Sequence, residues 1–115
     1  MQNPVEITFH HLPRSAALEE RIDHEIRGLE KLFDRIVSCR VSIEAPPRHH
    51  HQGGVYRVRV ELAVPGRHLI VDRSPDEDAA HADPYVAVRD AFRAAERQLE
   101  DHAKAVRGRA AFTRA

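Results

Sequence analysis

Apolar and polar positions alternate near the start of the chain, with Val5, Ile7 and Phe9 on one side and Glu6 and Thr8 on the other. A repeat of two residues is the signature of a half-buried strand. Apolar residues then recur at helical spacing, at Leu18, Ile22, Ile26, Leu29 and Phe33. They predict a helix over about 15–34, with Ser15 as its N-cap and Glu19 and Glu20 in the first turns, where the helix dipole favours acids. Alternation returns twice. Val37, Cys39, Val41 and Ile43 oppose Ser38, Arg40, Ser42 and Glu44, and later Val58, Val60, Leu62 and Val64 oppose Arg57, Arg59 and Glu61. Between these two runs lies APPRHHHQGG, residues 45–54, read as the long tip of a hairpin. Val64-Pro65-Gly66-Arg67 is a tight-turn signal, because proline fixes the first central position and glycine accepts positive φ at the second. A fourth strand, HLIVD, follows it.

Residues 73–83, RSPDEDAAHAD, are polar and rich in breakers, so they form a loop. Asp83 before Pro84 marks a helix start. Tyr85, Val88, Phe92, Ala95, Leu99 and Val106 form one apolar stripe, predicting a second helix over about 84–107 with Gly108 as its stop. The order is β-α-β-β-β-α. The first strand, helix and second strand read as a parallel crossover unit, and the later strands as hairpins. Strict alternation in the middle strands leaves one sheet face covered and the other wet. The fold class is therefore α+β: a two-layer sandwich in which two helices pack on one face of a four-stranded mixed sheet. Residues 1–108 form a single domain, and 109–115 a basic C-terminal tail expected to be flexible.

Composition narrows the function. At 115 residues with 42% apolar and 31% charged residues, the chain is an ordinary globular domain. It has no apolar run long enough for a membrane span, and its N-terminus lacks the pattern of a signal peptide. Cys39 is the only cysteine, so no intramolecular disulfide can form, and a cytoplasmic location is the simplest expectation. Net charge is zero with histidine neutral, but its distribution is uneven. Before Arg89 stand 11 Lys/Arg and 14 Asp/Glu; from Arg89 onward there are 7 against 4.

That C-terminal excess is ordered. Arg89, Arg93 and Arg97 follow at four-residue spacing, and Lys104 and Arg107 continue roughly on the same side, with Arg109 beyond. Phosphate recognition needs cations held in a row by a rigid element, and arginine can bind phosphate bidentately. A charged outer face is also what any solvated surface helix has, and Arg97 with Asp101 or Glu100 with Lys104 stand at the spacing of helical ion pairs. Catalysis has little support. Ser15 and Ser74 lack an evident base, Cys39 is predicted to face the core, and no glycine-rich phosphate loop is present.

LEKLFDRI in the first helix, VYRVRVELAVPGRHLIV through the second hairpin and DPYVAVRDAFRAAERQLE opening the second helix together resemble the ribosome hibernation-promoting factor family, also called the ribosome-associated inhibitor or sigma-54 modulation family. The resemblance runs from Val5 to about Arg107. It implies a stress factor of the short form that binds the small ribosomal subunit and its ribosomal RNA, occupies the channel for messenger and transfer RNA, and represses translation. It implies no enzyme activity, cofactor, membrane or small-molecule substrate, and leaves oligomeric state open. Asp83 and Tyr85 match the family's Asp-x-Tyr helix start, Lys31 and Arg35 its basic positions near the end of the first helix, and Arg97-Gln98-Leu99 its Arg/Lys-Gln-Leu. The RNA-binding set expected on this basis is Lys31, Arg35, Arg89, Arg93, Arg97, Lys104, Arg107 and Arg109. The chain departs from the family at Glu100 and Asp101, and at Glu25 and Gly28, where lysines are common. Fewer cations mean fewer phosphate contacts. The alternative is a divergent regulatory or metal-responsive module on the same fold with weak ribosome affinity.

The histidines bear on that alternative. The parallel crossover brings His10 and His11 to the end of the sheet where His49, His50 and His51 sit, with His81 in the loop that follows the fourth strand. A zinc or nickel ion needs three or four neutral imidazoles converging at about 2 Å. No metal site is assigned; His10, His11, His49 and His51 are the candidates should there be one. A histidine-rich rim also gains positive charge near the ordinary imidazole pKa of about 6.5, which would strengthen RNA contact in mild acid.

Overall fold

The computed structural model describes residues 5–46, 56–72 and 83–113, with side chains through Arg107. The hairpin tip with His49, His50 and His51, and the loop with His81, lie outside the described residues. The elements are β1 (Val5–His10), α1 (Ala16–Leu32), β2 (Ser38–Glu44), β3 (Arg57–Val64), β4 (Arg67–Asp72) and α2 (Pro84–Thr113). They form one mixed sheet in the order β1-β2-β3-β4. β1 and β2 are parallel, as the crossover through α1 requires, and the other pairs are antiparallel. The α+β sandwich read from the sequence is the architecture observed.

Alternation does what the pleat demands. Cys39, Val41 and Ile43 of β2, Val58, Val60, Leu62 and Val64 of β3, and Leu69 and Val71 of β4 all point into one core. Leu18, Ile22, Ile26 and Leu29 of α1 and Val88, Phe92, Ala95 and Leu99 of α2 close that core from the other side. α2 lies against β3 and β4 and beside α1. Both helices start at the sheet end where β1 and β4 finish, so they run side by side in the same direction. Gly66 takes φ 78° in the β3–β4 turn, a conformation that glycine adopts without steric cost.

Ser15 caps α1 as expected: its side chain accepts a hydrogen bond from the Leu18 N–H at 3.2 Å. Ser15→Ala is expected to cost about 1 kcal/mol by leaving that donor unsatisfied, a fall of about 4 °C in a thermal melt.

Several boundaries differ from the sequence reading. Gly108 does not stop α2, which continues to Thr113. Glycine inside a helix costs only about 1 kcal/mol, and the arginine and alanine residues around it are strong helix formers. Val37 lies outside β2 and is 45% exposed, although its N–H still bonds the Ala63 carbonyl at 2.7 Å. Val5, at the outer end of an edge strand, and Tyr85, in the first turn of α2, are 40% and 38% exposed instead of core. The stripe of α2 contains His102 instead, 3% exposed and edge-on to the Phe33 ring with centroids 5.6 Å apart.

Candidate nucleic-acid interface

The two surfaces of the sandwich treat their cations differently. On the open sheet face, strand register brings acids and bases together from distant parts of the chain. Arg57 forks onto Asp72 with two bonds of 2.9 Å, and Arg59 reaches the same carboxylate at 3.3 Å and Glu61 at 3.4 Å. Arg40 stands 3.8 Å from both Glu6 and Glu61. The hydrogen bond from Arg57 holds the Asp72 carboxyl below the usual carboxylate range, with the Arg59 charge adding to it. Arg40, Arg57 and Arg59 are thus all neutralised, and this face is a balanced mosaic.

On the helical face most cations have no such partner. Arg93, Arg97, Lys104 and Arg107 of α2 are exposed and make no ion pair among the described residues. At about 100° per residue, Arg93, Arg97 and Lys104 lie nearly opposite the buried stripe of Val88, Phe92 and Leu99, and so point away from the sheet. The ion pairs expected for Arg97 with Asp101 and for Glu100 with Lys104 do not form. Exposed pairs at this spacing are worth only about 0.3–0.5 kcal/mol, little against the entropy of fixing two long side chains. Arg89 stands apart: it is half-buried and bonds its neighbour Asp90 at 3.3 Å. Arg109 lies within the helix, where no side chain is described.

The first helix adds to the same surface. Lys31 sits in the last turn of α1 and Arg35 in the turn just after it, both exposed. The Phe33–His102 contact fixes how the two helices align. Counting back from it along parallel helices, Lys31 comes level with about Glu100, and Arg35 follows in the turn beyond the end of α1. Lys31 lies in the last turn of α1, where the helix dipole favours positive charge, whereas Arg93, Arg97, Lys104 and Arg107 run along the middle of α2. Arg27 was missed by the sequence reading. It is exposed, makes no ion pair among the described residues, and lies four residues before Lys31 on the outer side of α1. That spacing repeats the one between Arg93 and Arg97 and was the available signal.

The other candidate chemistries do not assemble among the described residues. His10 and His11 both end up beside Glu44; His10 pairs with it in register and His11 Nε2 lies 3.9 Å from its carboxylate. No group of three or more metal-binding side chains converges among the described residues. Cys39 is 2% exposed, and burial pushes its thiol up to about 12, with Glu30 adding to the shift. Its contribution to stability is therefore whole below the ordinary thiol range near 9 and is lost as pH rises through about 12. Denaturant titrations should show stability falling across that window by up to about 1.4 kcal/mol per pH unit. At pH 8 a maleimide should label Cys39 only after unfolding.

These features describe a β-α-β-β-β-α sandwich with one face whose arginines are paired with carboxylates and one face carrying cations that have no ion pair among the described residues. The family model for sigma 54 modulation protein / S30EA ribosomal protein matches residues 5–107. The chain belongs to this family. Membership makes it a ribosome-associated modulation factor. No curated protein matches the chain by sequence. The fold is similar to that of a ribosomal subunit interface protein from Coxiella burnetii, with a TM-score of 0.70 and 16% identity over 87% of this chain and 97% of the other. It is also similar to the N-terminal domain of Protein Y from Thermus thermophilus, with a TM-score of 0.66 and 18% identity over 88% of this chain and 99% of the other. Among the described residues no helix is long and apolar enough to cross a membrane.

Proposed function

We propose that the protein binds the small ribosomal subunit by laying the outer face of its two helices on ribosomal RNA, and that it represses translation by occupying the sites that messenger and transfer RNA would use. The observation that carries this reading is the asymmetry of the cations: Arg40, Arg57 and Arg59 on the sheet are paired, whereas Arg93, Arg97, Lys104 and Arg107 on α2 have no ion pair among the described residues. An unpaired arginine loses no internal partner when it meets a phosphate, and a rigid helix fixes its spacing. Lys31 and Arg35 extend the same surface, with Arg27 as a further contact. Arg89, already bonded to Asp90, contributes less, and Arg109 lies farther along the same helix. The action is that of a ligand and not of an enzyme, and its place is the cytoplasm, where ribosomes work.

The test is a translation system reconstituted from purified components. Protein added in equal amount to ribosomes should suppress peptide synthesis, and excess messenger and initiator transfer RNA added beforehand should protect against it. Synthesis that continues at full rate with the protein in several-fold excess over ribosomes contradicts the reading.

A further inference from the structure

The two edges of the sheet are not treated alike. At β4, the Gln98 side chain reaches from α2 and donates to the Ile70 carbonyl at 3.2 Å, occupying an outward-facing backbone group. Among the described residues β1 has no such cover. The bond from the Ala45 N–H to the His10 carbonyl, at 3.0 Å, shows that His10 turns its backbone groups toward β2. By the alternation of a strand, Thr8 and Glu6 do the same, and Val5, Ile7 and Phe9 turn theirs outward. No partner for those outward groups exists among the described residues. The strand carries no lysine, proline or bulge, the devices that usually blunt an edge. Its apolar side is also incompletely covered: Val5 is 40% exposed, and Ile7 and Phe9 are only partly buried.

We infer that the β1 edge is a docking site for a second copy of this chain, paired antiparallel about a two-fold axis at Thr8 to give a continuous eight-stranded sheet. A two-fold interface must be complementary to itself, and this register is. On the open face Glu6 stands opposite His10 of the second copy, so that the imidazole N–H can donate to the carboxylate, and this happens twice. On the helical face Ile7 meets Phe9, also twice, and these two residues are the ones whose backbone groups face outward. The Glu6–His10 contacts fall at the closely spaced, non-hydrogen-bonded positions, where side chains approach most nearly. Shifting the axis to Ile7 would set Glu6 against Thr8 and lose both polar pairs. The ladder is short because His11, at φ 64°, turns the chain away. Its area falls below that of stable interfaces, so the dimer forms at tens of micromolar or above, on the order expected for a small contact. The cationic face of α2 stays free, so this inference stands apart from the proposed function.

Sedimentation equilibrium of the full chain from about 5 μM to 1 mM tests it, with circular dichroism to verify that each variant is folded. The native chain should pass from monomer to dimer across this range. Thr8→Lys sets two lysines against each other across the axis on the solvent side and should weaken the dimer about tenfold, whereas His10→Lys strengthens both cross-strand pairs and should tighten it about fivefold. A chain that stays monomeric to 1 mM overturns the inference. So does a dimer that Thr8→Lys leaves unchanged or tightens, since that dimer uses another surface or another register.

Discussion

Replacing Arg93 and Arg97 together by glutamate is expected to weaken binding to the small ribosomal subunit by about a hundredfold at physiological salt. Each phosphate neutralised by a cation releases close to one counterion, which near 0.15 M salt is worth about fivefold in affinity. Losing two contacts gives about thirtyfold, and the repulsion introduced by two carboxylates carries the effect further. The fold should be unaffected, because both side chains are exposed and neither has an ion-pair partner among the described residues. The sheet supplies the control. Arg40→Gln removes a cation that already faces Glu6 and Glu61, and it should leave ribosome affinity within about twofold of the native value. Titration of labelled protein with purified small subunits measures both. Equal losses in the two variants would mean that overall charge, and not the helical face, governs binding.

Leu99→Ala is expected to give the largest loss of stability from a single truncation. Leu99 is fully buried, and α2 lies on β3 and β4 with one side and beside α1 with another. Removing a buried leucine to its β-carbon costs the lost transfer energy plus a cavity, about 3 kcal/mol in a site that cannot collapse. For a chain of this size that corresponds to a fall of about 10–15 °C in Tm, readable by differential scanning calorimetry. Ile70→Ala makes the contrast: Ile70 is 44% exposed, and its loss should cost well under 1 kcal/mol. Below its own transition Leu99→Ala should still bind ribosomes, because the cations that face outward remain.

The sandwich was legible in the sequence because its core follows simple periods. A two-residue repeat in β2 and β3 put every inward residue of those strands on the correct side, and a 3.6-residue repeat did so for α1. The extent of α2 was less legible, because a lone glycine among strong helix formers is too weak a breaker to mark an end. His102 was invisible for another reason: an imidazole on an apolar stripe interrupts the pattern, and only the approach of Phe33 from the neighbouring helix explains its burial. The cationic row of α2 could be read from four-residue spacing. What sets that row apart could not, since it depends on which arginines are already neutralised. Arg57 and Asp72 are fifteen residues apart and meet only through the register of β3 with β4. That register neutralises Arg57 and Arg59 on the sheet, while Arg93, Arg97 and Arg107 on α2 face solvent with no ion pair among the described residues.

The most direct test of the central claim is the salt dependence of binding to isolated small and large ribosomal subunits, measured by co-sedimentation from about 50 to 300 mM monovalent salt. If unpaired cations on both helices grip ribosomal RNA, log Kd for the small subunit should rise linearly with log salt. A slope of about 3 to 5 would correspond to four to six phosphate contacts. Arg93→Glu with Arg97→Glu should reduce that slope by about 2, and the large subunit should bind far more weakly throughout. A slope near zero, or equal affinity for the two subunits, would contradict the account.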